Sequence, residues 1–107
     1  MLITTMNDIP GYRIDEVLGE CFGLTVRSRG MKGQLGASFK SVVGGELGAL
    51  TQMLHEGREE GIARLVEEAE KKGANAIVAM RFDTGEIADI MNEVAAYGTA
   101  VTVEQAD

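Results

Sequence analysis

Hydrophobic and polar positions alternate early in the chain. Tyr12, Ile14, Leu18, Phe22, Leu24 and Val26 share one parity, interrupted by Glu16 and Glu20. Arg13, Asp15, Val17, Gly19, Cys21, Gly23 and Thr25 fall on the other. A period of two over residues 12–26 predicts a long strand with one clearly apolar face. Gly19 and Gly23 are expected to mark a bulge or a place where another backbone comes close. Ahead of this strand, residues 1–5 favour extended structure, and Asn7, Asp8, Pro10 and Gly11 read as a turn.

Residues 28–38 contain Gly30, Gly33 and Gly36 with Arg29 and Lys32, the composition of an exposed loop. The period then changes. Apolar or small residues recur at Phe39, Val43, Leu47, Leu50, Leu54, Gly57, Gly61, Leu65 and Ala69, in steps of three and four that predict a helix over residues 39–72. Ser38 or Ser41 suits its start, and Lys71, Lys72 and Gly73 its stop. Gly44, Gly45, Gly48, Gly57 and Gly61 are costly in a helix interior, each by about 1 kcal/mol relative to Ala. Either the helix breaks at Gly44-Gly45, or the glycines serve close packing, with Gly57 and Gly61 lying in the apolar stripe itself.

Beyond Gly73, residues 75–82 are almost continuously apolar and predict a strand, and Asp83, Thr84 and Gly85 predict a turn. Residues 87–92 are ambiguous. A final strand over residues 93–104 is apolar on both sides, which calls for cover on both faces. The expected architecture is α+β: one domain over residues 1–107, with one long helix, whole or broken, packed on a small antiparallel sheet. One helix covers one face, so the other would be an apolar patch larger than soluble monomers tolerate, and a homo-oligomer is expected.

Composition narrows the function. Aromatics make up 5% of the 107 residues and Trp is absent, so the core must be aliphatic and a subunit interface would add buried area. Ten basic against 17 acidic residues give a net charge of −7, which disfavours nucleic acid and anionic membranes as partners. A single Cys21 forms no internal disulfide. No basic region followed by an apolar run opens the sequence, and no run of about 20 apolar residues exists to span a bilayer, so a cytoplasmic protein is expected.

Candidate chemistry is sparse. His55 and Glu59 stand at i,i+4 on one helix face, a two-ligand arrangement that a metal site would need an oligomer to complete. A lone His on a helix ordinarily faces solvent, and Cys21 between glycines and apolar neighbours ordinarily packs as a small core residue. The carboxylates of the strand and helix read as solvated faces rather than an acid–base pair. Residues 30–36 lack the Walker arrangement and the dinucleotide signature, so a flexible connection is expected there.

The order of segments is familiar. VVGGELGALTQMLHEGREEGIARLVEEAEKKGANAIVAMRFDT (residues 42–84) and EVAAYGTAVTV (residues 93–103), together with ITTMNDIPGYRI and GLTVRSRG, resemble the YbjQ-like family over almost the whole chain. The specific pieces are Gly44-Gly45-Glu46-Leu47, Glu68-Ala69 with Gly73-Ala74-Asn75-Ala76, and Tyr97-Gly98-Thr99-Ala100-Val101. The resemblance implies a β-α-β-β unit like the dodecin subunit, ring-shaped homopentamers and a family label of heavy-metal binding, with no ligand residues to carry over. Ala-like residues stand in the family where this chain has His55, Gly57 and Gly61, and Cys21 is no motif position. Gly44, Gly45, Tyr97, Gly98 and Thr99 are the candidate subunit contacts. The expected function is a non-enzymatic, ring-forming binding or structural module. One alternative is a metal binder using His55, Glu59 or Cys21 across subunits. Another is an enzyme with an inter-subunit site built from Glu46, Arg58 and Tyr97.

Overall fold

The alternation from Tyr12 builds a 17-residue strand, and the helical period builds a 24-residue helix that lies across it. The computed structural model describes residues 1–28, 48–87 and 91–107. The expected loop from residue 29, the first helical turns, the break at Gly44-Gly45 and Glu46 lie outside the described residues. The elements are β1 (Leu2–Ile3), β2 (Tyr12–Ser28), α1 (Gly48–Lys71), β3 (Ala76–Ile87) and β4 (Met91–Gln105). They form one sheet in the order β1-β3-β4-β2. The sheet is mixed rather than antiparallel, because the short strand at residues 2–3 pairs parallel with β3.

Helix α1 stops where its sequence says it should. Gly73 takes a left-handed φ of 85°. Its amide donates to Glu70 O and that of Ala74 to Ala69 O; these are the paired bonds of a Schellman cap, which favour glycine at this position. Among the residues of the helix whose burial is described, Gly57, Gly61, Leu65 and Ala69 are buried. Leu54, expected in the same stripe, is 50% exposed.

The helix chose the other face of β2. Cys21, Gly23 and Thr25 are buried, whereas Phe22, Leu24 and Val26 are exposed. The clearly apolar face that the alternation predicts is therefore the one that α1 leaves uncovered. The reason is size. A Cβ built on Gly23 would lie 2.0 Å from Gly61 O and 2.4 Å from Leu65 N, so α1 rests directly on the β2 backbone, and only the small-residue parity admits it. Leu65 and Ala69 then close against Cys21, Ile77, Ala96 and Ala100 in the main core.

A second cluster occupies the opposite face at one end of the sheet. Ala76, Val78, Val101 and Val103 are buried there under Ile9 and Ile14. The N-terminal segment supplies part of this cover. It runs along β3 through bonds from Thr4 N to Ile77 O, Ala79 N to Met6 O and Met80 N to Thr4 O. Asn75 ties the same end together, donating from Nδ2 to Val103 O and accepting from Val103 N. So, among the described residues, the second face is covered by the chain itself at one end and left bare along residues 20–26 of β2.

Strand β3 runs further than its composition suggests. Asp83, Thr84 and Gly85 do not turn the chain; they pair with Ala95, Val94 and Glu93 of β4. Bulges interrupt the ladders between Val17 and Gly19 and between Val78 and Arg81. The first matches the expectation at Gly19, which has φ 103°.

Candidate functional site

The bare part of the sheet has no internal role among the described residues. Phe22 stands opposite Tyr97, and Leu24 opposite Ala95. The Phe22 and Tyr97 rings lie 6.2 Å apart at a 33° tilt, within the range in which aromatic pairs attract. Phe22 is 54% exposed, Leu24 47%, Val26 45% and Tyr97 37%, so four large apolar side chains share one strip of surface. Carboxylates border it. Glu20, Asp83 and Glu93 line the same shallow cleft as Phe22, Leu24 and Tyr97. Arg81 falls in the row of Tyr97, but its guanidinium donates to Thr5 O at 2.7 Å and Met80 O at 2.9 Å.

The expected contact residues next to Tyr97 have different environments. Thr99 is half-buried and Gly98 buried. A Cβ at Gly98 would meet Ile77 Cγ2 at 2.8 Å and Val78 O at 3.0 Å, so the missing side chain is already used within the subunit. Gly44 and Gly45 lie outside the described residues.

The candidate ligands are kept apart. His55 and Glu59 are both exposed on α1. Cys21 is 1% exposed and its thiol lies 3.7 Å from Gly98 O. Burial pushes that thiol above its ordinary range, with Lys72 pulling it down and Glu68 pushing it up by smaller amounts. Cys21 thus senses the C-terminal end of the helix, whereas His55 lies 13 residues before Glu68, about 20 Å along the axis at 1.5 Å per residue. Among the described residues, no group of three or more His, Cys, Asp and Glu side chains is placed to hold a metal ion. Among the described residues, the donors of one subunit do not fit a heavy-metal site: the Cys21 thiol is buried with its titration pushed up, and His55 and Glu59 are exposed on the helix without a third donor placed to join them.

The residues named for a shared catalytic site also separate. Arg58 Cζ sits 5.1 Å from the centre of the Phe82 ring, which packs against the helix-side core. Tyr97 is on the opposite face, and Glu46 is outside the described residues. A second cleft, at the end of the β3–β4 pair, is lined by Leu54, Arg58, Thr84 and Glu93 among others. It explains why Leu54 leaves the core stripe: that turn of the helix borders a groove rather than the sheet. Nothing in the periodicity marks this groove. No helix among the described residues is long and apolar enough to cross a membrane.

Known proteins extend the comparison. A family model described as "Putative heavy-metal-binding" matches residues 1–104. A UPF0145 protein of Mycobacteroides abscessus is 61% identical over 104 residues, covering 97% of each chain. One from Streptomyces coelicolor is 58% identical, covering 96% of this chain and 97% of its own. One from Lactococcus lactis is 55% identical, covering 98% and 96%. A crystal structure of a protein of unknown function in the DUF74 family, from Pediococcus pentosaceus, superposes with a TM-score of 0.66 at 18% identity, over 97% of this chain and 98% of that one; it shares the fold. Matched almost end to end by one family model and by relatives more than half identical to it, the chain belongs to the YbjQ_1 family of uncharacterised proteins.

Proposed function

We propose that this chain is the subunit of a homo-oligomer, a ring-forming binding or structural module without catalytic activity of its own. The strip of Phe22, Leu24, Val26 and Tyr97 carries the reading: four large apolar side chains are between 37% and 54% exposed on one sheet face. Scattered apolar residues on a surface need no explanation, but a contiguous strip beside an already covered region of the same face favours a protein partner. A dodecin-like ring of five, in the cytoplasm, is the form that this proposal takes. Native mass spectrometry of the untagged protein at micromolar concentration tests it. A single species at five times the subunit mass is expected; a protein that stays monomeric sinks the reading.

A second reading has one observation in its favour, the description of the matching family model. In it, His55 and Glu59 of successive subunits converge and supply together the ligands one subunit lacks. Dialysis against zinc, copper and nickel followed by elemental analysis separates the two. Metal retained by the native oligomer and lost in His55→Ala supports this reading, and native protein that retains no metal removes it.

A further inference from the structure

Within its shallow cleft the apolar strip meets charge of one sign; at the outer edge the Arg64 guanidinium is already held by Leu24 O and Glu60. That limits what can cover the strip. Glu20, Asp83 and Glu93 share its cleft, while the nearby Arg81 is held by Thr5 and Met80 carbonyls along the N-terminal segment. Two copies pressing this face together about a two-fold axis would set the three carboxylates against a second set of the same three. An isologous contact makes every group meet its own patch, and like charges brought together in a desolvated contact oppose association. The surface that fits must bring apolar side chains for the centre and cations for the border.

The chain itself contains such a stretch. Residues 29–45 carry Arg29, Lys32 and Lys40, three of its ten cations, and none of its seventeen carboxylates. Met31, Leu35 and Phe39 are interspersed among them. In a protein with a net charge of −7, this is a concentrated block of positive charge with apolar residues at intervals, complementary in both respects to the strip.

We infer that the acid-bordered sheet face of one copy is the docking surface for the cationic stretch, residues 29–40, of a second copy. The inference rests on the oligomeric reading above and adds to it which surfaces meet. Each copy then gives one surface and receives on another, a head-to-tail contact that propagates until a ring closes. The apolar centre supplies most of the affinity, and the charges set partner, direction and rate of encounter.

Two charge-reversed proteins test this against the wild type by native mass spectrometry, with circular dichroism as the check on folding. One carries Glu20→Lys, Asp83→Lys and Glu93→Lys; the other carries Arg29→Glu, Lys32→Glu and Lys40→Glu. Each alone should be monomeric where the wild type is assembled, since its face and stretch now repel. Mixed in equal amounts, they should reassociate into species containing both, because each face again meets a stretch of opposite charge. Either variant assembling alone as the wild type does, or a mixture of monomeric variants that stays monomeric, overturns the inference while the oligomer stands. A monomeric wild type overturns the oligomeric reading itself. Should a variant fail to fold, the wild type alone decides. Its apparent dissociation constant should rise at least about tenfold between roughly 50 and 500 mM salt, as screening of interfacial charge requires, and a salt-independent constant overturns the inference.

Discussion

At the scale of single residues, Gly23 and Gly61 look equivalent in the sequence and differ in the fold. A methyl group on Gly23 points into the helix backbone at 2.0 Å, whereas one on Gly61 finds its neighbours, Ala96 Cβ and Gly23 O, at 3.7 Å. Gly23→Ala should therefore lift the helix and cost roughly 3 kcal/mol, the upper range for overpacking. Gly61→Ala should be tolerated and gain up to about 1 kcal/mol from helix propensity. Urea denaturation of both variants checks the asymmetry, and equal destabilisation would mean that the contact is misplaced. The stripe containing Gly61 and the glycine in β2 were both legible as signs of close approach. Which of the two must lack a side chain was not, because that depends on how two backbones meet. Cys21 gives a second residue-level test. Its thiol is raised above the ordinary value of 9.0 by burial, so the native state holds the proton to higher pH than the unfolded chain does. The contribution is fully present below pH 9.0 and is lost as pH rises toward the folded value. Stability should fall above that pH in the wild type and fall less in Cys21→Ala. Iodoacetamide should label the thiol slowly in buffer and fully in urea.

At the scale of elements, hydrophobic periodicity located β2, α1 and β4 but did not say which face of β2 the helix would take. Periodicity ranks side chains by hydropathy, and helix-on-strand packing at this distance selects by size; Cys21, Gly23 and Thr25 are small, so they are the ones covered. Turn propensity failed at Asp83-Thr84-Gly85 for a related reason. Strand β4 continues past them to Met91, and the ladder bonds it offers outweigh a local preference that tertiary contacts often override. The bulge in β3 was not legible at all. Ala79 adopts φ 54° there, with its amide bonded to Met6 O at 2.7 Å. A left-handed alanine carries a penalty of about 1 kcal/mol that glycine does not. Ala79→Gly should accordingly raise the unfolding free energy by up to that amount in urea titrations; a loss of 1 kcal/mol or more, in the range of an ordinary strand glycine penalty, would show that the conformation is unstrained.

At the scale of the whole molecule, the subunit is a slab. Its principal extents are 56 × 27 × 15 Å and its radius of gyration is 17.3 Å, against about 13 Å for a compact chain of this length. The described elements make a layer one helix and one sheet thick, which does not by itself enclose two sheet faces. That the second face needed cover was readable from the apolar character of both sides of the last strand. That residues near Ile9 would supply part of it was not, since a two-residue strand and a turn carry almost no periodic signal. The remaining strip makes a direct prediction for the assembly. Phe22→Lys and Leu24→Lys, each at an exposed position, should leave the unfolding of the isolated subunit nearly unchanged, within about 0.5 kcal/mol, while light scattering shows loss of the oligomer. Retention of the wild-type mass by both would place the subunit contact elsewhere. The ladder between β2 and β4 also governs how such a molecule is made. Every rung joins residues more than sixty positions apart, so the chain must close a long loop before its most extensive pairing gives any return, and it belongs among the slower folders. Until that closure, the β4 edge is open to the β2 of any neighbouring chain. At high concentration the same pairing can therefore form between molecules, and refolding from denaturant should yield exchanged dimers in proportion to concentration.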